Sequence, residues 1–568
     1  METQLHSPEP FTLSTERVGA LPLVNHFIER IGLPALLEEA VPTHDGRCAI
    51  SHASALLVLL RSIVIEREPL YRQRETVYGF APALYGLSAE EVKRLGDDRI
   101  GRALDKLFDA DRAALLTQIA LAVGQRFAVR FDQLHNDSTS VSFCGQYPEA
   151  QEKQRGKLPA LITYGRSKLH RPDLKQLVLI LTVSEDGSVP VQFRVADGNT
   201  SDSVTHIETW NSLRELTGRA DFLYIADSKL CSFDNMDHIH RAGGRFVTVL
   251  PRTRNEDKEF RQWLQTHTPS WQLVWNRPHP RRQDGPRDRW YVHLSELPSA
   301  ETWPIVWVWS TLLTQYHEEN RRRRVTAAVQ ALNALHQRLT GPRARRRGVK
   351  QIEAQVAKIL RKHHVRRYLR VQRIEQNTHE FKQTSPGRPG PDTAYRKITH
   401  RRYDIQWTVD QAAIDYDHKS DGIFPLLTND RQLTPAQVLT AYKGQPAIEK
   451  RFEQLKTVHE IAPVFLQNPG RIEAFFTVYF LALLVQALIE REIRLAMQQD
   501  HIDHLPLYAE RRRCRHPTTE QVLRLFDLTA RHTLLNDGQP VQVFSPELTP
   551  LQHQVLDLLD VPSSAFRL

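Results

Sequence analysis

The hydrophobic pattern of residues 137–250 constrains the fold of this chain more than any other feature of the sequence. Val141 and Phe143 alternate with serines, as in a strand with one buried face. The apolar runs QLVLILTV and VPVQFRV follow, and the Asp-Gly pair between them predicts an antiparallel hairpin. An amphipathic helix, the short apolar run FLYIA, a second helix and the strand RFVTVL come next. This order predicts a mixed sheet in an α/β fold.

The segments around this pattern differ from it in composition. Helical apolar spacing precedes it, and Trp-rich and Arg-rich segments follow it. Residues 325–363 have apolar spacings of three and four that predict a helical hairpin with a basic exterior. Strand pattern returns in RYDIQWTV and GIFPLLTND, which indicates a core interrupted by a large insertion. The predicted segments are a helical N-terminal domain (1–125), the first part of the core (126–250), an insertion with strands and the basic hairpin (251–400), the second part of the core with a long helical stretch (401–500) and a mixed polar C-terminal tail (501–568).

Positive charge is concentrated in one part of the chain. The 568 residues carry a formal net charge of +10. Residues 321–370 contain sixteen Lys and Arg against one acid, Glu353, so the other residues together sum to −5. Such a cluster predicts a polyanionic partner, nucleic acid above all. An arm that binds protein or RNA and a merely solvated helix face are the alternatives.

Several classes of protein lack support in the sequence. The four cysteines are far apart and form no CxxC pair, which argues against a disulfide framework or a cysteine zinc site and fits a reducing cytoplasm. No secretion signal pattern is present at the N-terminus. The longest apolar stretch, 474–489, is shorter than a membrane span requires, so we predict a buried core helix and no membrane partner. The motifs GxxxxGK[ST], HExxH and GxSxG are also missing.

Two aspartates lie in or next to predicted strands, where burying an ionised carboxylate costs free energy. Asp137 is on the apolar face of the first strand, and Asp227 follows FLYIA at the edge where open α/β sheets place their ligands. A buried ionised carboxylate must be paired or bind a metal, and divalent cations relieve the repulsion between two of them. The alternative is local: Asp137 in a turn with its neighbours, and Asp227 as the cap of the next helix.

The segment AYKGQPAIEKRFEQLK supplies a third carboxylate. Gly444 breaks the preceding helix, and Pro446 is suited to the first turn of a new one. Glu449 then lies in that first turn, where the helix terminus favours a negative charge. In a continuous α-helix Lys456 would follow about 10 Å further along nearly the same face. A solvated charged face is the alternative.

The spacing of four residues in this segment carries a resemblance. Tyr442, Gln445, Glu449 and Lys456 match the signature Y-x2-R-x3-E-x6-K, with Gln445 at the arginine position. The chain resembles the DDE transposases of bacterial insertion sequences, and HNDSTSV, RPDLKQ, the GNTSD loop, YIADS, GIFPLLTND and the segment around RIEAFFTVYF extend the resemblance over residues 20–495. It implies a ribonuclease H-like catalytic core.

The resemblance also implies an activity. Asp137, Asp227 and Glu449 would be the catalytic, metal-binding residues. They would hold two Mg²⁺ ions, with Mn²⁺ expected to substitute, for phosphodiester hydrolysis and strand transfer in cut-and-paste transposition. The expected partners are double-stranded DNA, both element ends and target, and a second copy of the chain in a homodimer on DNA. We also expect the N-terminal domain to bind the DNA ends and the protein to be cytoplasmic and nucleoid-associated. The residues expected to contact DNA are Lys456, Tyr442, Gln445, Arg451, Arg345, Arg346 and Arg347.

Two other functions fit the same residues. A nuclease or resolvase on the same fold would hydrolyse DNA without strand transfer, and its carboxylates would look the same. A catalytically inactive DNA-binding protein descended from a transposase is the other, although all three acidic positions are occupied.

Overall fold

The chain forms two compact units, one of which is interrupted by the other in sequence. The computed structural model describes residues 11–44, 46, 48–147, 152–168, 171–279, 285–341, 348–462, 464–508, 510 and 512–567. The core unit comprises Met1–Thr248 and Thr440–Leu568, and the inserted unit comprises Val249–Leu439. The segment boundaries drawn from the sequence at 250 and 400 stay predictions.

The core unit begins with a strand and a set of helices. Ser51, Ser88 and Asp111 each accept a hydrogen bond from a backbone N–H, which fixes the start of the helix that follows each of them. The elements are β1 (Phe11–Arg17), α1 (Leu21–Ile31), α2 (Leu33–Ala40), α3 (His52–Ile65), α4 (Gln73–Tyr78), α5 (Ala89–Lys93), α6 (Asp97–Asp109) and α7 (Arg112–Phe127).

A mixed sheet follows the helices, as the sequence predicts. Its strands lie in the order β4-β3-β2-β5-β6, with β2, β3 and β4 antiparallel and β2, β5 and β6 parallel. Gly187 and Ser188, at φ 77° and 55°, are the left-handed residues of the hairpin turn between β3 and β4. The elements are β2 (Gln133–Phe143), β3 (Lys175–Ser184), β4 (Pro190–Ala196), α8 (His206–Thr217), β5 (Leu223–Ile225), α9 (Phe233–Arg241) and β6 (Arg245–Val249).

The inserted unit contains four antiparallel strands in the order β12-β9-β8-β7 and a helical hairpin. The sequence predicted both strands and a helical hairpin in this segment. The hairpin helices, α11 and α12, bury Ala328, Leu332, Leu335, Leu339 and Ile352. The elements are α10 (Asn255–Trp263), β7 (Gln272–Arg277), β8 (Asp288–Leu294), β9 (Ile305–Ser310), α11 (Thr311–Thr340), α12 (Val349–Lys362), β10 (Leu369–Gln383), β11 (Tyr395–Val409), α13 (Gln411–His418) and β12 (Ile423–Thr428). Helix α14 (Pro435–Tyr442) leads back into the core unit.

The strand predicted at RYDIQWTV belongs to a different structure from the one expected. It is the end of β11, which pairs with β10 in an antiparallel ribbon along fifteen residues of each strand. Leu369 and Ile405 at the base of the ribbon are buried against the helical hairpin. The expectation that this strand resumes the core sheet is therefore wrong.

The long apolar helix of the core unit is buried, as predicted. Helix α15 (Pro446–Glu453) and a π-helical turn (Gln454–Val458) precede α16 (Pro469–Gln499). Among the helices of the described residues, α16 is long and apolar enough to cross a membrane, yet 89% of its apolar window is buried inside the protein.

The C-terminal segment is a structured part of the core unit rather than a polar tail. Strand β13 (Ala530–Asn536) pairs with β1 on one side and with β14 (Gln539–Phe544) on the other. Helices α17 (Thr519–Arg524) and α18 (Pro550–Leu558) place Val522, Val555 and Leu556 in the hydrophobic cluster that also contains α1, α3, α6 and α16. The polar composition of this segment concealed its few buried positions.

This packing predicts different effects for two leucines of the segment. Leu556 is fully buried, so Leu556→Ala should lower the free energy of unfolding by about 2–5 kcal/mol through a cavity. Leu528 is 98% exposed, and Leu528→Ala should change it by less than about 0.5 kcal/mol. Urea unfolding followed by circular dichroism measures both. Equal stability of the two variants would contradict the placement of α18.

Candidate active site

Asp137 on β2 and Asp227 just beyond the end of the neighbouring parallel strand β5 lie at the same level. His135 of β2 is paired with Ile225 of β5, and each aspartate is two residues beyond that pair. Both side chains are partly buried. Burial is the main cause that raises the pKa of Asp137 to about 6, and the negative charges of Asp227 and Asp202 raise it further. Burial also raises the pKa of Asp227.

Each aspartate also accepts one local hydrogen bond. Oδ1 of Asp137 accepts from the backbone N–H of Ser138 at 2.7 Å, and Oδ1 of Asp227 accepts from that of Lys229 at 2.9 Å. Local turns, which the sequence offered as the alternative to a metal site, are therefore present in part. Asp227 does not cap the next helix, because Ser232 occupies that position. Within the described residues, Oδ2 of either aspartate has no hydrogen-bond partner, so one oxygen of each carboxylate stays available.

Lys168 and Asp202 join this site, which sequence reasoning missed. Lys168 Nζ donates to Ser138 Oγ at 2.9 Å and lies 3.5 Å from Asp202 Oδ2. The positive charge of Lys168 lowers the pKa of Asp137 and of Asp227, whereas the charge of Asp202 raises both. Asp202 lies in a short turn before α8, which begins after Thr205. The sequence signal was weak: Asp202 ends the GNTSD loop that carries the resemblance, and Lys168 lies three residues before RPDLKQ.

Gln445 and Gly444 attach the start of α15 to strand β2. Gln445 Nε2 donates to the carbonyl oxygen of Asn136 at 2.9 Å, and its Oε1 lies 3.1 Å from Nδ1 of His135. Burial lowers the pKa of His135 to about 4, so the ring is neutral and Nδ1 carries the donated proton. A Cβ atom on Gly444 would lie 2.7 Å from the same ring, which explains the glycine. Gln445 is 7% exposed, and this argues against the DNA contact expected from the sequence.

Glu449 lies one helical turn beyond Gln445, on the same face of α15. It is exposed and, among the described residues, makes no hydrogen bond or ion pair. Burial, followed by the charges of Asp227, Glu449 and Asp137, raises the pKa of Tyr442 to about 12. All three carboxylates therefore act on one partly buried phenol. Within the described residues their oxygen atoms do not all lie within 4.8 Å of one another.

Lys456 reaches the site by a geometry that the sequence did not predict. Helix α15 ends at Glu453, and in the following turn the N–H of His459 donates to the carbonyl oxygen of Gln454, five residues back. The expected uninterrupted α-helix through Lys456 is therefore wrong. The Nζ of Lys456 nevertheless donates to Thr139 Oγ1 at 2.5 Å. Thr139 is two residues from Asp137 on the same face of β2. Burial and the charge of Lys168 lower the pKa of Lys456, and Asp137 opposes them.

Arg451 has a structural position inside the protein. It is 3% exposed, and its Nη1 lies 2.7 Å from Glu490 Oε2 on α16. Its Nε and Nη2 donate to the carbonyl oxygens of Ser188 and Gly187 at 2.9 and 3.0 Å. All of its nitrogens are engaged, which argues against the expected DNA contact. The other expected contacts, Arg345, Arg346 and Arg347, lie outside the described residues.

The donor set of this site fits a hard divalent cation. Carboxylate oxygens are the ligands that Mg²⁺ prefers, and burial with like charges makes Asp137 a carboxylate that a cation would stabilise. Glu449 has a long, exposed side chain that is free to turn. In the described part of the inserted unit, Glu318, His418 and Asp421 also lie within 4.8 Å of one another. There, both oxygens of Asp421 already accept hydrogen bonds from Arg321.

Two family models match parts of this chain. Residues 133–485 match the family model described as "Transposase DDE domain". Residues 13–121 match the model described as "Domain of unknown function (DUF4277)". The solved structure titled "Cryo-EM structure of piggyBac transposase synaptic complex with hairpin DNA (SNHP)" is similar at 9% identity and a TM-score of 0.25, covering 85% of this chain and 83% of that chain. No curated protein sequence matches.

The raised pKa of Asp137 predicts a pH-dependent effect on stability. The folded protein holds this proton more tightly than the unfolded chain does, so the stability of the metal-free protein falls as pH rises from about 4 to about 6. Asp137→Asn removes this effect and should raise the free energy of unfolding at pH 7 by roughly 1–3 kcal/mol. The gain should shrink as pH approaches 4. Urea unfolding in EDTA across this range measures it, and a gain that does not vary with pH would contradict the assignment.

Proposed function

The chain belongs to the DDE transposase family, whose model covers more than half of it, and we propose that it is a cut-and-paste transposase of a bacterial insertion sequence. In this proposal, Asp137, Asp227 and Glu449 are the catalytic residues of metal-dependent phosphodiester hydrolysis and strand transfer. The observation that carries it is the equal level of Asp137 and Asp227 on neighbouring strands beside the helix of Glu449. Fold alone would not identify the reaction.

The three carboxylates would hold two Mg²⁺ ions, with Mn²⁺ expected to substitute. Bound there, the ions would supply an activated water or DNA 3′ hydroxyl and a stabilised leaving oxygen for an in-line displacement. The local hydrogen bonds to Asp137 and Asp227 each use Oδ1 and leave the second oxygen as a ligand. Glu449 completes the set from the helix that Gln445 fixes to β2.

The other side chains would position the DNA. Lys456 and Lys168 contact Thr139 and Ser138, the two residues after Asp137, and lie close enough to act on each other's charge. Each would suit a phosphate next to the scissile bond. The ion pair with Asp202 holds Lys168 beside the carboxylates of the site. Tyr442 stays a neutral phenol because its pKa is about 12, so it can donate a hydrogen bond to a phosphate.

The inserted unit would supply most of the electrostatic attraction for DNA. It contains 34 Lys and Arg against 19 Asp and Glu, a formal charge of +15, whereas the core unit sums to −5. Double-stranded DNA is therefore the proposed partner, both as element ends and as target. Action on two ends is the reason for proposing a homodimer on DNA, and such a protein would work in the cytoplasm at the nucleoid.

The catalytic assignment predicts loss of cleavage in three variants. Asp137→Ala, Asp227→Ala and Glu449→Ala should each lower Mg²⁺-dependent cleavage of DNA carrying the element's own ends by about 10²–10³-fold or more. DNA binding should stay within a few-fold of the wild type. Glu453→Ala is the matched control, because it removes an exposed glutamate one turn further along and should keep full activity. An active Asp227→Ala enzyme would exclude that residue, and hydrolysis without strand transfer would favour the nuclease or resolvase.

The basic cluster predicts a change in salt dependence. Arg345, Arg346 and Arg347 replaced together by Ala should weaken DNA binding and reduce the slope of log K against log salt by about 3, at roughly 0.9 per phosphate contact. Arg512, Arg513 and Arg515, exposed residues of the core unit, give a matched triple variant with the same loss of charge. Fluorescence anisotropy from 50 to 300 mM NaCl compares them. Equal effects would mean that net charge, and not this cluster, determines affinity.

A further inference from the structure

The ribbon of β10 and β11 extends well beyond the helices that support it. Fifteen antiparallel pairs run from Leu369↔Val409 to Gln383↔Tyr395, a length of about 50 Å at roughly 3.3 Å per residue. Only the first few pairs are packed on the helical hairpin, through Leu369, Val371 and Ile405 among others. We call residues 376–383 and 395–402 the distal arm.

No residue of the distal arm is buried, on either face. Gln383, Ile398 and His400 are partly exposed, and the other residues are exposed. A two-stranded ribbon without a sheet or helix against it is marginally stable in water. A ribbon of this length is therefore suited to binding a partner molecule that covers it.

The two faces of the distal arm have the same formal charge, +2, but differ in their acids and aromatic rings. Alternate residues share a face, and we call one of them the groove face; it consists of Asn377, His379, Phe381, Gln383, Tyr395, Lys397, Thr399 and Arg401. This face has two cations and no acid, and Phe381 and Tyr395 are 62% and 51% exposed on it. Arg401 lies 3.7 Å from Glu375, which is nearer the base. The opposite face has three cations, Lys382, Arg396 and Arg402, and one acid. That acid is Glu380, which pairs with His400 at 2.8 Å and Lys382 at 3.6 Å.

We propose that the groove face of the distal arm binds the major groove of duplex DNA. This rests on the proposed function, which supplies DNA as the partner. The major groove is about 12 Å wide and admits a two-stranded ribbon, whose strands are roughly 5 Å apart. Asn377 and Gln383 suit adenine edges, Lys397 and Arg401 suit guanine edges or phosphates, and the exposed rings suit thymine methyl groups.

The composition of the groove face favours DNA over a second copy of the chain. Homodimer interfaces are mostly apolar at their centre and depleted in Lys. Here Phe381 is the apolar side chain of a face otherwise made of polar, cationic and phenolic groups. The location of the arm in the unit with a charge of +15 points to the same partner.

Matched double variants of the full chain test the proposal. Lys397→Ala with Arg401→Ala should lower affinity for a 40-base-pair duplex from the DNA flanking the chain's own coding sequence by about 10–100-fold, and should reduce the salt slope by about 1–2. Arg396→Ala with Arg402→Ala removes the same charge from the same strand on the opposite face and should change affinity less than about threefold. Fluorescence anisotropy in EDTA measures binding without cleavage.

A photocrosslinking probe identifies the partner directly. Replacement of Phe381 by p-benzoylphenylalanine should give crosslinks to the duplex, and the same probe at Ile398, on the opposite face, should give far fewer. Crosslinks from position 381 to a second copy of the chain, or equal affinity of the two double variants, would overturn the proposal. Failure of the wild-type protein to bind any duplex would instead overturn the proposed function, so the two failures are distinguishable.

Discussion

The buried ion pair between Arg451 and Glu490 holds the candidate site together. Arg451 binds α16 through Glu490 and the turn between β3 and β4 through two carbonyl oxygens. One side chain thus connects the helix of Glu449 with the main hydrophobic helix and with the sheet. Removing one partner of such a pair leaves an uncompensated buried charge, at a cost of about 3–5 kcal/mol. The position of Glu449 depends on this interior contact, although Glu449 itself is exposed.

In contrast to this ion pair, the carboxylates of the site stay in an environment that is unfavourable to their negative charge. Burial and the charges of neighbouring acids raise the pKa of Asp137, and Lys168 and the N–H of Ser138 compensate in part. A site that binds cations well has this character, because the groups that attract the cation repel one another without it. The stability lost at Asp137 and Asp227 is consistent with a chemical role, which packing alone would not require.

The sequence predicted the parts of the fold that have a clear hydrophobic period, and it failed where that period is absent. Strands β2 to β6 and their order along the chain followed from alternation and turn residues, whereas the common level of Asp137 and Asp227 comes from the structure. Strand β10 is exposed on both faces, so no alternation marks it. The burial of Gln445 and Arg451, which argues against the expected DNA contacts, was not predicted because spacing along a helix does not reveal burial. Lys168 and Asp202 come from loops 34 residues apart in the chain, which only the tertiary fold brings together.

The insertion of one unit into the other affects the order in which the site is made during translation. Asp137 and Asp227 leave the ribosome before the inserted unit, whereas Glu449 and its anchor Glu490 leave after it. At roughly 5–20 residues per second, the 263 residues from Asp227 to Glu490 take about 13–53 s to synthesise. During that time the nascent chain has two acids but no anchored third one. The proposed cleavage activity would therefore be absent until the second part of the core unit has been synthesised and folded.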